Sequence, residues 1–544
     1  MFNWKEFEKT KVILSQSSSY YDFGSQHNVI IRPIDLVRWI EMIREDLGFL
    51  TLVEISGADI RGIFDNDYDF NLTYHFLNMG SHQRLNIHVR FFENEIIPSI
   101  IELFTHADWL EREQREAFGI KFSRPMKNLF YNENTSHYPL RKDAVISSWG
   151  ENPEPRLPTI EKNPNKSESP FPEEAFEWKL FDIVSPQACG LFEWQVCFDP
   201  LKVIKSNLNV GFYHEGLEKL LEKKDWQQIL HLVDKINLGS APTYSIAWAK
   251  TLEDLLRIKL PERAQAIRIV VLEMARIAEH LTVMHEITYS LGMDEHRLFI
   301  NCREKIYELM EKYCGRRQGL GVARLGGIKE DLPHGWIVEY QSVYEIIFKS
   351  IKTIHRSLIS QVKFRESLST GEVSAQTALE WGISGPAMRA SGLNFDLRKS
   401  QGFYFYQDID FDIPVGIHGT AYERYLIRFE EIFQSFRIIT QVIDNLPLGE
   451  IVNSDFDKNY LDLKNYLRTL NLPRGWQYTG IESPNGEAGF LVMFDGKADP
   501  LRVKIKTPSF ALAQALPHFI HGMQEAQINS SLASMGIRRF ELDR

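Results

Sequence analysis

The sequence predicts an α+β protein in two bodies, and three observations carry that expectation. Between residues 29 and 122, short β-rich runs alternate with helical patterns. Beyond residue 210, long apolar stripes recur at three- and four-residue steps, the helical period. Between these zones, residues 152–174 gather proline, serine, asparagine and glutamate without periodicity, which is the composition of a linker. The chain therefore divides into an N-terminal α/β domain at 1–150, a linker at 151–175, and a mainly helical domain with small antiparallel sheets at 176–544.

A length of 544 residues allows two or more cores. Hydrophobic residues at 44% and charged residues at 25% place the chain among ordinary globular proteins. A formal charge of −11 offers no basic surface, so nucleic acid is not an expected partner. No apolar run reaches the roughly 18 residues that a membrane span needs. Residues 1–9 (MFNWKEFEK) lack the apolar stretch of a secretory signal. Cys189, Cys197, Cys302 and Cys314 form no CxxC pair, so neither a zinc knuckle nor a disulfide framework is indicated. A reduced protein on the cytoplasmic side is expected.

In the first body, residues 29–31 predict a short strand, and Pro33 opens a helix carrying Ile34, Val37, Ile40 and Ile43. Residues 49–55, 69–76 and 85–92 predict strands. The middle one alternates apolar and polar residues, as a half-buried antiparallel strand does. A helix at 97–104 precedes another at 107–119. In the latter, Glu111, Arg112, Glu113, Arg115 and Glu116 fit a salt-linked solvated or interface face better than a catalytic cluster.

In the second body, residues 178–184 and 192–198 are strand-like, and 209–216 lead into a short helix ending at Leu221. The loop 235–243 precedes a helix through Leu256, and Pro261 stands in the first turn of a longer helix. There Ile267, Val270, Met274, Ile277, Leu281 and Met284 form one apolar stripe, with Arg263, Arg268, Glu273, Arg276 and Glu279 on the opposite face. Further helices are expected at 298–313, 339–363 and 420–443, the last with a core stripe of Tyr422, Leu426, Phe429, Phe433 and Phe436. After Pro447 the pattern becomes a hairpin, 489–494 and 501–505 about Asp495 and Gly496.

Few residues force a mechanism by themselves. His214 beside Glu215 suits a general base or ligand, and a hydrogen-bonded structural role accounts for it as well. Cys302 lies on its helix's apolar stripe as a small hydrophobe, and Cys189 and Cys197 are assigned structural roles. Residues 315–321 (GRRQGLG) follow a helix and lack the Gly-Lys-Ser/Thr ending of a phosphate loop. Arg389, Asp396, Arg398 and Lys399 crowd beside glycine, as buried ion pairs that lock loops do.

Taken together, two groups of motifs resemble a known family. DWLEREQREAFGIKF (108–122) and HYPLRKD (137–143) resemble the C-type polypeptide of respiratory complex I. YHEGLEK (213–219), LPERAQ (260–265), RLGGIKEDLP (324–333, beginning at Arg324) and RASGLNFDLRK (389–399) resemble the D-type polypeptide. So do FDIPVG (411–416), YERYLIR (422–428) and ELDR (541–544). In this order they cover nearly the whole chain outside the linker, so the chain looks like a fused C/D subunit of a complex I-like NADH-quinone oxidoreductase. The resemblance implies a C-subunit-like domain followed by a D-subunit-like domain related in fold to the large subunit of nickel–iron hydrogenases. It implies a place between the peripheral and membrane arms, on the cytoplasmic face of the inner (plasma) membrane. The implied partners are a B-type iron–sulfur subunit, other peripheral-arm subunits and membrane-arm subunits. No cofactor is expected on this chain itself. The iron–sulfur cluster belongs to the neighbouring subunit, and quinone is the implied acceptor.

The departures from the family's pattern fall where the quinone head group binds. After the turn at 185–187, where the family continues with His-Pro and a further histidine, this chain has Ala188, Cys189, Gly190, Leu191 and Phe192. The place of the quinone-contacting tyrosine, after 234–237, holds Leu238. The histidine expected before Arg324 falls among Gly319, Leu320 and Gly321, and the acidic residue before Leu291 is Ser290. Quinone reduction takes up two protons and needs positioned donors, which leucine and alanine cannot supply. The cavity candidates are therefore Ala188 and Leu238, with Cys189, His214 and Tyr244 as replacement donors. Nickel–iron catalysis needs two pairs of thiolates. Asn237 and Ser240 stand at the first pair's position and residues 530–536 (SSLASMG) hold no cysteine, so no metal is expected. One expectation is a subunit shaping an apolar acceptor cavity. The alternative is a non-catalytic scaffold of a hydrogenase-related energy-converting complex that has lost both sites. A stand-alone enzyme using His214 and Glu215 is a third.

Overall fold

The computed structural model describes residues 19–23, 26–63, 68–131, 138–144, 177–181, 192–319, 321–470, 472–497 and 499–544. The predicted linker at 151–175, and Ala188 and Cys189, lie outside the described residues.

A five-stranded sheet organises the N-terminal part. Strands β1 (Ser19–Phe23) and β2 (Gln26–Ile31) are followed by helix α1 (Leu36–Glu45), then β3 (Thr51–Asp59), β4 (Phe70–Asn78) and β5 (Gln83–Phe91). The strand order is β1-β2-β5-β4-β3, with β3, β4 and β5 a meander and β2 parallel to β5. Helix α1 buries Leu36, Trp39, Ile40 and Ile43 at helical spacing. The predicted start is corrected: Pro33 opens a single 3-10 turn, and Ile34 is 80% exposed. A second correction falls at 97–104, where no helix forms. Residues 96–97 bridge 121–122 in parallel and turns follow. Ile97, Ile100 and Phe104 are buried there, and their spacing of three and four imitates a helix. Helix α2 (Ala107–Phe118) closes on Gly119, whose φ of 76° makes a left-handed cap.

The second part begins with an antiparallel sheet of β6 (Glu177–Leu180), β7 (Glu193–Asp199) and β8 (Lys202–Asn209). Helices α3 (Ala241–Leu256), α4 (Glu262–Ser290), α5 (His296–Cys314), α6 (Trp336–Ser360) and α7 (Ala421–Asp444) make its bulk. A second antiparallel sheet, β9 (Arg474–Ser483), β10 (Gly486–Asp495) and β11 (Arg502–Lys506), precedes α8 (Pro508–Phe519) and α9 (Glu525–Met535). This mixed architecture, a sheet-bearing N-terminal part and a mainly helical remainder with small antiparallel sheets, is the α+β class read from the sequence.

Helix α4 is the axis, with α5, α7 and α9 packed against it. Its apolar stripe is buried, and so are Arg268, Glu273, Arg276 and Glu279 on the face opposite. The expected polar face of a surface rod is thus enclosed by neighbours that pair its charges. Helix α7 is turned in part from expectation: of the predicted stripe Phe436 is buried and Tyr422, Leu426, Phe429 and Phe433 are half-buried, while Arg424, Tyr425, Arg428 and Glu431 are buried.

The polar face of β4 does not meet water either. Asn71, Thr73 and His75 are at most 3% exposed. They are covered by the β9–β10 sheet, where the His75 and Tyr478 rings stack at 6.0 Å and Gln26 Nε2 donates to the Tyr478 carbonyl. Within that layer His75 Nδ1 bonds Asn86, and His88 bonds Thr73 and Asn28, while His75 Nε2 is buried without a hydrogen-bond partner among the described residues. The acidic face of α2 is likewise internal. Glu113 pairs with Lys504 of β11 at 2.6 Å, and Glu116 accepts from the Phe130 and Tyr131 amides.

Candidate functional site

The core of the helical part is a buried ion network centred on α4. Glu273 accepts from Tyr406 Oη at 2.7 Å and Ser435 Oγ at 2.6 Å, and pairs with Arg276 and Arg398 at 3.1 Å. Arg398 also holds Asp396, and Arg389 spans Glu431 at 2.8 Å and Glu482 at 2.7 Å. His280 Nε2 lies 2.8 Å from Glu431 while Nδ1 faces the Arg428 guanidinium. A guanidinium only donates, so Nδ1 accepts and the proton sits on Nε2. Burial pushes this imidazole down to about 4, which keeps it neutral. Burial opposes the charge of Glu431, but Arg389 and His280 hold its carboxyl well below the usual range. The network fixes the loops around Arg389, Asp396 and Arg398, and its groups are spent on one another. Arg324, from the same family motifs, donates to the Phe456 and Lys458 carbonyls and anchors that loop.

A cavity of about 300 Å³ opens beside this network. Residues 236–239 form one wall. Glu279 and Thr282 of α4, Arg303, Glu304 and Tyr307 of α5, and Arg317, Gln318 and 538–540 form the others. Asn237 caps the loop by accepting from the Gly239 amide and donating to Glu541 at 2.8 Å. Glu541, which is not among the residues lining the cavity, is pushed up to about 7 by burial. Glu279 receives Arg538 at 2.5 Å and Asn485 at 2.8 Å, and Glu286 receives the same guanidinium at 2.8 Å. Burial opposes the Glu279 charge, and Arg538 holds its carboxyl below the usual range. For Glu286 burial prevails and raises it to about 7.

The predicted site residues are not gathered together. Leu238 lines the cavity and is 38% exposed. Tyr244 is fully buried on α3 beside Glu541, and burial pushes its hydroxyl well above the ordinary range. His214 is not among the lining residues. Its Nε2 meets Tyr131 Oη at 2.7 Å, its Nδ1 faces the Asp543 carbonyl at 3.2 Å, and its ring stacks on Phe130 at 4.8 Å. It therefore clasps the two parts of the chain. The lining of this cavity mixes four arginines and two glutamates with Ile236, Leu238, Tyr307 and Phe540. Arg303 and Tyr307, Glu279 and Thr282, and the 538–540 segment escaped sequence reasoning. Each pair shares a helix face, but only the fold brings the faces to one space. Among the described residues no group of three or more His, Cys, Asp or Glu is arranged to hold a metal ion, and no helix is long and apolar enough to cross a membrane.

Known proteins resemble the chain along both of its parts. The family described as respiratory-chain NADH dehydrogenase, 30 Kd subunit, matches residues 29–148, and the corresponding 49 Kd subunit family matches residues 294–544. The fused C/D subunit of the NADH-quinone oxidoreductase of Bdellovibrio bacteriovorus is 32% identical over 525 residues, covering 92% of each chain. The chain belongs to the family of C/D subunits of NADH-quinone oxidoreductase. The C/D subunit of Shewanella woodyi is 28% identical over 529 residues, covering 91% of this chain and 88% of its own. The D-type polypeptide of the same oxidoreductase in Myxococcus xanthus is 31% identical over 364 residues, covering 63% of this chain and 86% of its own.

Two predictions test the site of this C/D chain directly. A Cβ on Gly239 would collide with the Glu279 carboxylate, so Gly239→Ala is expected to cost about 1–3 kcal/mol, read as a lower Tm. Glu286 carries its proton up to about pH 7 when folded, but only to about pH 4.5 when unfolded. The folded state holds the extra proton between those values, so this group's contribution to stability falls as pH rises from 4.5 to 7. Glu286→Gln is expected to remove this contribution, on the order of 3 kcal/mol across that range, and so to flatten that part of the Tm–pH curve.

Proposed function

We propose that this chain is a peripheral-arm subunit of a complex I-like translocase, standing between the terminal iron–sulfur subunit and the membrane arm. In this reading residues 1–150 dock other peripheral-arm subunits, and residues 176–544 face the B-type iron–sulfur subunit and shape the acceptor chamber. The observation that carries it is Leu238. The position where the family's pattern places a quinone-contacting tyrosine opens on the 300 Å³ cavity. No step needs a metal or cofactor on this chain. Its own residues bind, orient and exclude water, with Arg303 and Arg538 as donors and Tyr307 as the phenol of the lining. The complex, purified from membranes, should contain this chain with iron–sulfur and membrane-arm subunits, and should reduce quinone with NADH or ferredoxin as donor. A chain that purifies alone from the soluble fraction would overturn the proposal.

A scaffold without an acceptor is the second reading. It is favoured by the charged lining and by Leu238, which can donate no proton. Retention of full quinone reductase activity after the cavity is filled by Thr282→Trp would support it. Loss of activity in an assembled complex would exclude it.

A further inference from the structure

The cavity wall carries more positive than negative charge. Four guanidinium groups, Arg303, Arg317, Arg538 and Arg539, face two carboxylates, Glu279 and Glu304. Glu304 is shared by Arg303 and Arg317, and Glu279 pairs with Arg538. Arg539 makes no ion pair among the described residues and lies over the Tyr213 ring at 5.4 Å. Arg538 is 7% exposed and divided between Glu279 and Glu286, and its Nη2 and the Glu279 Oε2 are both buried without a hydrogen-bond partner among the described residues, so this pair offers an incoming anion no net charge. The unpaired Arg539 guanidinium would bind an ionised ligand oxygen better than a carbonyl, because charge-assisted bonds are the stronger ones.

The remaining lining fits a flat ring. Tyr307 and Phe540 supply aromatic surface, Leu238 and Ile236 supply aliphatic surface, and 300 Å³ lies at the small end of ligand cavities. A long anionic chain does not fit such a volume, whereas one or two fused rings do. This inference rests on the reading of the cavity as an acceptor chamber. We infer that the cavity selects a ring head group bearing an ionised oxygen, an acidic hydroxyquinone as its enolate, over a neutral quinone of the same size. Arg539 is the residue that sets this preference.

The test is calorimetric binding to the purified native complex near pH 7.5, with 2-hydroxy-1,4-naphthoquinone and 1,4-naphthoquinone as the probes. The hydroxylated, anionic compound is expected to bind about ten-fold tighter, the scale of one extra charge–charge contact in a partly wet site. Arg538→Met would strand Glu279 and Glu286, so the working variant is Arg539→Gln, which breaks no ion pair. In Arg539→Gln the preference should fall to about three-fold or less. Equal binding of the two probes would overturn the charge preference and leave the acceptor chamber standing. Binding of neither would overturn both. A ten-fold preference unchanged in Arg539→Gln and in high salt would overturn the assignment to Arg539.

Discussion

Arg389→Met is expected to cost about 3–5 kcal/mol, the penalty for removing one partner of a buried ion pair. Arg389 is completely buried and divides its guanidinium between Glu431 and Glu482, with Asp396 at 3.5 Å. Methionine fills much of the same volume, so the loss is chiefly electrostatic. Three carboxylates then remain in a space with too few cations. Typical domains have only about 5–15 kcal/mol in hand, so a substantial fall in Tm or in accumulated protein should follow. The double variant Arg389→Met with Glu431→Gln should recover part of the loss, because it removes the stranded charge as well. Additive losses in a thermal double-mutant cycle would show that the pair is not coupled.

Lys504→Met should act with similar force on the joint between the two parts. Lys504 is 0% exposed and lies 2.6 Å from Glu113 on α2, 3.5 Å from Glu218 and 3.9 Å from Glu54. Its loss leaves Arg544, at 3.5 Å or more from these carboxylates, as the partner they share. A penalty of about 3–5 kcal/mol placed at the joint should split one calorimetric transition into two. A single transition at the wild-type temperature would show that Lys504 does not hold the joint.

The helices and most strands were legible because each repeats apolar residues at its own period. What period cannot report is the covering of a polar face. Asn71, Thr73 and His75 alternate with apolar neighbours as in an open-faced strand, yet β9 and β10, some 400 residues later in the chain, seal them. The same holds for Arg268, Glu273, Arg276 and Glu279 on α4, each of which also takes a partner from another helix or loop. Of the residues that line the cavity, one is singled out by the sequence as a site candidate. The family's pattern pointed to Leu238, while Glu279, Arg303, Arg317 and Arg538 come from separate segments with no shared spacing. His214 carried a plausible local signal for chemistry. Its surroundings, Tyr131, Phe130 and the Asp543 carbonyl, belong to a clasp.

The central claim is that the cavity beside residues 236–239 receives the electron acceptor of a quinone-reducing complex. A photoreactive quinone analogue applied to native membranes, followed by peptide mapping of this chain, tests it most directly. Labelling is expected within 236–239, 303–307 or 538–540, and should disappear with excess unlabelled quinone. Labelling confined to other subunits, in a complex that still reduces quinone, would contradict the claim.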